Sequence, residues 1–285
     1  MLIGYRGRIA PTISGQLHLG HAATFLATQK RADKLGGILV YREEDLDRQR
    51  FKEEFRESIR RDLSWLGVQW TEGPLTGGTF GPYRQSERGS VYKTQMSRLA
   101  NLGLVYPTEH SRKDIESSAE ARSTEGEWIF PDSLRNPVSA NFNPRLNWRF
   151  VVPKERVSFL DEICGKTERE GQVDFGDFLV WRKDGIPSYE FAVVVDDALM
   201  KVSEVVRGAD LLTSTARQLL LYNALGWEPP KFAHCPLVLG DDGTRLSKTK
   251  GSLGLSFLRE KGMLPEDVFE LAKSRLSAPF PTAFV

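Results

Sequence analysis

Cysteine is nearly absent from this chain: 285 residues hold two, Cys164 and Cys235, far apart in sequence. That excludes a disulfide framework as the basis of the fold and makes a reducing compartment, the cytoplasm, the expectation. No apolar stretch is long enough to cross a bilayer, so no membrane role is expected. The first residues, MLIGYRGRIAPTISG, lack the basic, apolar and small-residue regions of a signal peptide. Excess charge of one sign is also missing, since 39 Lys and Arg face 38 Asp and Glu for a net charge of +1. A protein that coats nucleic acid by bulk charge is thereby excluded, and any such contact must use local patches. There is no internal repeat and no low-complexity tract. Neither a GxGxxG fingerprint nor a Walker motif occurs, so hydride cofactors and P-loop hydrolysis have no support. What is present, 40% hydrophobic and 27% charged residues, suffices for one large domain or two modest ones.

The first hundred residues alternate strand-like and helix-like pieces. A short strand-like start leads into residues 9–11. Leu19–Lys34 reads as a helix stopped by Gly36 and Gly37. Residues 38–42 read as a buried strand. Phe51, Phe55, Ile59 and Leu63 recur every fourth position, so 51–66 reads as an amphipathic helix ended by Gly67. Residues 90–101 form a further helix candidate. This order predicts a parallel sheet with helices on its faces. Between 105 and 185 the character changes. Residues 111–120 read as helix, 123–145 as a loop rich in Pro, Asn and Ser, and 148–152, 157–160 and 178–182 as strands of a mostly antiparallel insertion. The alternation then resumes, with an apolar run at 191–195, a strand at 202–206 and a helix that Thr213 could cap, running to Leu225 and closed by Gly226. A turn-rich stretch at 240–251 and a helix near 265–276 follow. The expected division is 1–104 and 186–240 as two halves of one catalytic domain, 105–185 as the insertion, and 241–285 as a C-terminal segment.

Two motifs carry chemistry. His18, Leu19, Gly20 and His21 fall where a strand ends and a helix begins. A helix N-terminus offers free N–H groups and a positive dipole end to phosphate. Gly20 permits close backbone approach, and two imidazoles can donate hydrogen bonds to phosphate oxygens. Taken alone, the four residues fit two ordinary histidines near a helix start equally well. The second motif is Arg245, Leu246, Ser247, Lys248 and Thr249, after Asp241, Asp242 and Gly243. Such cations can stabilise charge developing on a leaving pyrophosphate, although a solvated loop is the ordinary reading. Asp196 and Asp197 follow an apolar, strand-like run, and neighbours in a strand point opposite ways. A structural or capping role is therefore expected for them rather than a metal site. Cys235, between His234 and Pro236, reads as a small buried hydrophobe.

Order and context join the two motifs. The pair, with an interrupted α/β domain between, resembles the class I aminoacyl-tRNA synthetases, whose motifs are written HIGH and KMSKS. Residues 8–15 (RIAPTISG) and 42–47 (REEDLD) resemble segments of the glutamate-specific branch, as do Pro187, Ser188 and Tyr189, 192–197 (AVVVDD) and 205–212 (VVRGADLL). The similarity covers essentially the whole chain. It implies a Rossmann-like α/β catalytic domain with a parallel sheet, interrupted by an inserted α+β subdomain of the acceptor-binding kind. Only 250–285 follow Thr249, so no helical anticodon-binding region is expected. The resemblance is thus to the truncated branch that attaches glutamate to the queuosine base of tRNA(Asp).

The resemblance assigns roles. Arg8, Ala10, Thr12, Glu44, Tyr189 and Arg207 would hold glutamate, the arginines as forks for carboxylate and Glu44 for the ammonium. His18, Gly20, His21, Arg245, Ser247 and Lys248 would contact ATP, with His18, His21 and Lys248 catalytic. Without the family, Arg8 and Glu44 read as an ordinary ion pair. The expected partners are L-glutamate, ATP with Mg²⁺ and queuosine-containing tRNA(Asp), with the chain acting as a monomer. The rivals are a truncated glutamyl-tRNA synthetase charging a 3′ end, a small-molecule nucleotidylyltransferase and a catalytically silent binding paralogue. Four features depart from the pattern. Many relatives hold zinc with C-x-C and Y-x₃-C, where this chain has Thr108, His110, Phe130 and Leu134, so no structural zinc is expected. Arg245 and Thr12 are conservative replacements. Glu190 stands where a neutral residue is usual, and facing the substrate it would repel a carboxylate.

Overall fold

The computed structural model describes residues 4–123, 125–240, 243 and 254–284. In chain order its elements are β1 (Arg6–Ile9), α1 (Leu19–Lys34), β2 (Ile38–Tyr41), α2 (Glu53–Trp65), α3 (Gly89–Asn101), β3 (Val105–Thr108), α4 (Arg112–Ser118), β4 (Asn147–Phe150), β5 (Arg156–Asp161), β6 (Gly165–Glu170), β7 (Phe178–Trp181), α5 (Tyr189–Leu199), β8 (Glu204–Gly208), α6 (Leu212–Ala224), β9 (Lys231–Cys235), α7 (Leu255–Glu260) and α8 (Pro265–Ser274).

Helix α1 ends where the sequence places its stop, and Gly36 (φ +60°) turns the chain into a conformation a Cβ disfavours. It delivers β2 alongside β1, parallel, with Arg8 opposite Val40. On the other flank of β1 lies β8, joined where the Ser203 N–H donates to the Arg6 carbonyl at 2.9 Å. Strand β8 pairs in parallel with β9, and β9 meets β5 at Phe232 and Asp161. The chain thus leaves β1 toward β2 on one side and returns at β8 on the other. At such a reversal the C-terminal ends of parallel strands open a crevice.

Strands β4 and β7 fall in the expected antiparallel unit, and β3, which the sequence did not mark as a strand, pairs with β4 at its edge. The β5–β6 hairpin does not join it but extends the row of β8 and β9. Strand β6 (GKTERE) escapes sequence reading because it is a charged edge strand with no buried alternation. Residues 191–195 are helix α5 rather than strand-like. Every residue from Glu190 to Asp197 is buried, so no helical period shows, while Ser188 caps the helix by accepting the Phe191 N–H at 3.4 Å. Thr213 does not cap α6. Its hydroxyl donates to Glu125 at 2.5 Å instead. Helix α7 is an addition to the expected set.

The apolar interior has two large parts. One packs α1, β1, β2 and α2 against α7 and α8. The other surrounds Trp148, Trp181, Phe191 and Leu221, and ties β4 and β7 to α3, α5 and α6. The seam between β1 and β8 runs between them.

Candidate active site

A cavity of about 420 Å³ opens at the C-terminal ends of β1, β2, β8 and β9. Arg8, Ala10, Pro11 and Thr12 enter it from the end of β1, and Glu44 from beyond β2. Val206, Arg207 and Gly208 come from β8, and residues 236–238 from beyond β9. His18, Gly20, His21 and Thr24 come from the start of α1, and Tyr189 from the start of α5.

At one end two histidines shape the first turn of α1. The Gly20 N–H donates to His18 Nδ1, and the His18 N–H donates to His21 Nδ1, both at 3.1 Å. Each neutral ring must therefore carry its proton on Nε2. The ring centroids lie 3.9 Å apart. The helix start thus combines its own positive dipole end with two imidazole donors, an arrangement suited to phosphate. A Cβ at Gly20 would lie 3.1 Å from His18 Cε1, so glycine keeps this corner open.

The other end carries two arginines and Glu44, and Asp210 also lines the cavity. Arg8 is buried and donates from Nη1 to the Val206 carbonyl at 2.8 Å, while its Nε lies 3.9 Å from Asp197. Burial holds its guanidinium below the ordinary range, with Asp197 opposing. Arg207 is equally buried and donates to His234 Nε2 at 3.2 Å and to Thr215 Oγ1 at 2.6 Å. Arg8 and Glu44 are not a pair with each other. Glu44 accepts from Arg42 Nη2 at 3.0 Å and from the Thr12 hydroxyl at 3.4 Å. Burial pushes its carboxyl up and Arg42 pulls it back. The spacing that sets Thr12 against Glu44 is fixed by backbone, since the Ile13 N–H donates to the Glu44 carbonyl at 3.0 Å.

Nine of the residues expected at the site, Arg8, Ala10, Thr12, His18, Gly20, His21, Glu44, Tyr189 and Arg207, thus line one cavity. Arg245, Ser247 and Lys248 lie outside the described residues. Glu190 turns away from the cavity, accepting from Ser214 Oγ and Gln218 Nε2 at 2.7 Å each, both on α6. The repulsion expected of a cavity-facing Glu190 does not arise.

Behind the site Asp196 and Asp197 have the structural role expected of them, but with partners the sequence reading missed. Asp197 accepts from Arg42 at 2.5 Å, and Asp196 accepts from Arg88 at 2.6 Å, Gln85 at 2.8 Å and Tyr92. Neighbours on a helix diverge by about 100° rather than pointing opposite ways, so both carboxylates reach the buried arginines. Asp197 stands behind Arg8, and Arg42 links it to Glu44. The signal was available: REEDLD begins with an arginine directly after a buried apolar strand, which demands buried partners.

Zinc does not fit the insertion. The Thr108 hydroxyl accepts the His110 N–H at 3.3 Å, and Phe130 packs with Tyr106, Ile115 and Leu134. Among the described residues no group of three His, Cys, Asp or Glu could hold a metal ion. Asp177 takes the central place. Its carboxylate accepts from the Tyr106 hydroxyl at 2.8 Å, from Arg135 at 2.8 and 2.9 Å, and from the Val152 N–H and Gln172 Nε2 at 2.9 Å each.

A parallel-strand crevice with a phosphate-suited helix start and an arginine-lined acid end defines a nucleotide-using α/β catalytic domain. Residues 5–278 match the family model of the catalytic domain of class I tRNA synthetases (E and Q). The chain belongs to that family. It is 44% identical over 272 residues to the glutamyl-Q tRNA(Asp) synthetase of Symbiobacterium thermophilum, covering 92% of this chain and 83% of the relative. It is 42% identical over 270 residues to glutamate–tRNA ligase 2 of Syntrophus aciditrophicus, again over 92% of this chain but 55% of that relative. Against the crystal structure of glutamate-tRNA synthetase from Elizabethkingia anophelis the TM-score is 0.81 at 30% identity, covering 94% of this chain and 61% of the other. The chain therefore spans little more than half the length of the glutamate–tRNA ligases it matches.

Proposed function

We propose that the protein activates L-glutamate with ATP, without tRNA, and passes it to the queuosine base in the anticodon of tRNA(Asp). The observation that carries this is the two-ended cavity, with Arg8, Arg207 and Glu44 at one end and the histidines of α1 at the other. A buried acidic amino acid needs each charge paired. Here two guanidinium groups match the carboxylates and the Glu44 carboxylate matches the ammonium. The α-carboxylate oxygen attacks the α-phosphorus of Mg²⁺-ATP in line. The bond to the bridging oxygen breaks, giving glutamyl-adenylate and pyrophosphate. Nε2–H groups of His18 and His21 donate to the phosphate oxygens, and Lys248 neutralises the leaving group. The protein's contribution is positioning and charge stabilisation. A hydroxyl of the queuosine cyclopentenediol then attacks the activated carbonyl and AMP departs. This chemistry belongs in the cytoplasm, with tRNA and ATP at hand.

The similarity to glutamate–tRNA ligases supports a second reading, in which the acceptor is a tRNA 3′ end. Incubation with ATP, labelled glutamate and tRNA(Asp) with or without queuosine, followed by mass analysis of the nucleosides, separates the two. Label on queuosine alone supports the first reading, label on the terminal ribose supports the second, and label on neither rules out both.

A further inference from the structure

Arg207 is held from one side only. Its Nε–H donates to His234 Nε2 at 3.2 Å and its Nη2–H to Thr215 Oγ1 at 2.6 Å. Its remaining nitrogen, Nη1, is buried and has no hydrogen-bond partner among the described residues, although the side chain lines the cavity. A buried cationic N–H left open is costly until a ligand completes it, so Nη1 is the atom offered to an anion. The bond from Nε–H requires a lone pair on His234 Nε2, which also lies 2.9 Å from Thr215 Oγ1. On the opposite edge of the ring, Nδ1 lies 2.6 Å from Asp161 Oδ2, which places the ring proton on Nδ1. The other carboxylate oxygen, Oδ1, accepts three backbone N–H groups, from Ile163 at 3.0 Å, Cys164 at 2.8 Å and His234 at 3.1 Å. These bonds settle which oxygen faces the ring. Burial keeps the His234 imidazole below its ordinary range although the Asp161 bond opposes this, so the ring is neutral at pH 7.

We infer that Asp161 and His234 are positioning residues for substrate recognition: the carboxylate fixes the imidazole tautomer, and the imidazole fixes the plane of Arg207 so that Nη1 faces the acidic ligand. This rests on the glutamate reading above. In an Asp161→Asn variant the amide oxygen must stay on the three backbone N–H groups, which turns the amide NH₂ toward His234 Nδ1. Nδ1 then has to accept and the ring proton moves to Nε2, where Thr215 Oγ1 at 2.9 Å can take it, so the Arg207 Nε–H loses its acceptor. The same logic makes the wrong tautomer the known cost of an Asp→Asn change in the serine-protease triad.

The test has two parts. The chain has four histidines, so ¹⁵N spectra of histidine-labelled protein resolve the tautomers directly. Wild type is expected to show His234 protonated on Nδ1 and bare at Nε2, and this needs no variant to fold. Calorimetry of L-glutamate binding is expected to show Asp161→Asn weakened by about tenfold or more, the scale of a misdirected charged hydrogen bond. ATP affinity stays unchanged. Adding His234→Gln to Asp161→Asn is expected to recover most of the loss, because the glutamine Oε1 replaces Nε2 as acceptor; a purely structural role gives no such rescue. A wild-type His234 protonated on Nε2, or an Asp161→Asn variant that binds glutamate as tightly as wild type, overturns the inference. Wild-type protein that binds no glutamate overturns the reading beneath it as well.

Discussion

The most exposed prediction concerns Asp177→Ala. The wild-type carboxylate is buried and receives donors from β3, from the loop after the 3₁₀ turn at 132–134, from the end of β4 and from Gln172. Truncation leaves the Tyr106 hydroxyl and the Val152 N–H without acceptors and leaves the Arg135 guanidinium only the more exposed Asp132, at 3.2 Å. Removing one partner of a buried pair costs about 3–5 kcal/mol. The Arg135 side chain is 26% exposed and regains some hydration, so a loss of about 4 kcal/mol is expected. At this chain length that lowers the melting temperature by roughly 7 °C. Urea unfolding followed by tryptophan fluorescence measures it, since Trp148 and Trp181 sit on the neighbouring strands. Wild-type stability is expected to be unchanged by a chelator. A loss below about 1 kcal/mol, the size of an ordinary substitution, or a wild type that melts early in EDTA, refutes the central structural place given to this carboxylate.

Two further outcomes can be checked independently. Gly20→Ala should improve helix stability by up to about 1 kcal/mol, yet lower glutamate-dependent ATP–pyrophosphate exchange by about tenfold or more, because the added methyl displaces the His18 ring; equal activity contradicts the role given to that ring. Asp62 is buried on α2 beside Arg259, and burial raises its carboxyl to about 6. Its folded value lies above the unfolded one, so its contribution is present below about pH 4 and fades as pH rises through about 6. Asp62→Asn should remove this slope and gain up to about 2 kcal/mol at pH 8, and identical pH–stability curves contradict it.

Much of the cavity was legible in the sequence because its residues sit in short motifs at strand ends, where the local chain decides their placement. His18 and His21 lie at the helix start that follows the loop after β1, Glu44 follows β2, and Arg207 lies in β8. What supports them was not legible, because it depends on contacts across long separations. Arg42 meets Asp197 and Arg207 meets His234 only after the sheet has assembled. Residues 191–195 misled because a helix buried on all sides carries no period. The β5–β6 hairpin misled because its partner β9 lies some seventy residues on, so no local pattern tells which sheet it joins.

Helix α6 has a consequence for anyone rebuilding this protein. Arg217 is shared between Glu127 of the insertion and Glu190 beside Tyr189, and the first turn of the same helix takes Glu125 through Thr213. Transplanting the insertion from a homologue would strip Arg217 of one acceptor and alter the setting of the residue next to the pocket tyrosine. A workable graft has to carry Thr213, Ser214, Arg217 and Gln218 along with it.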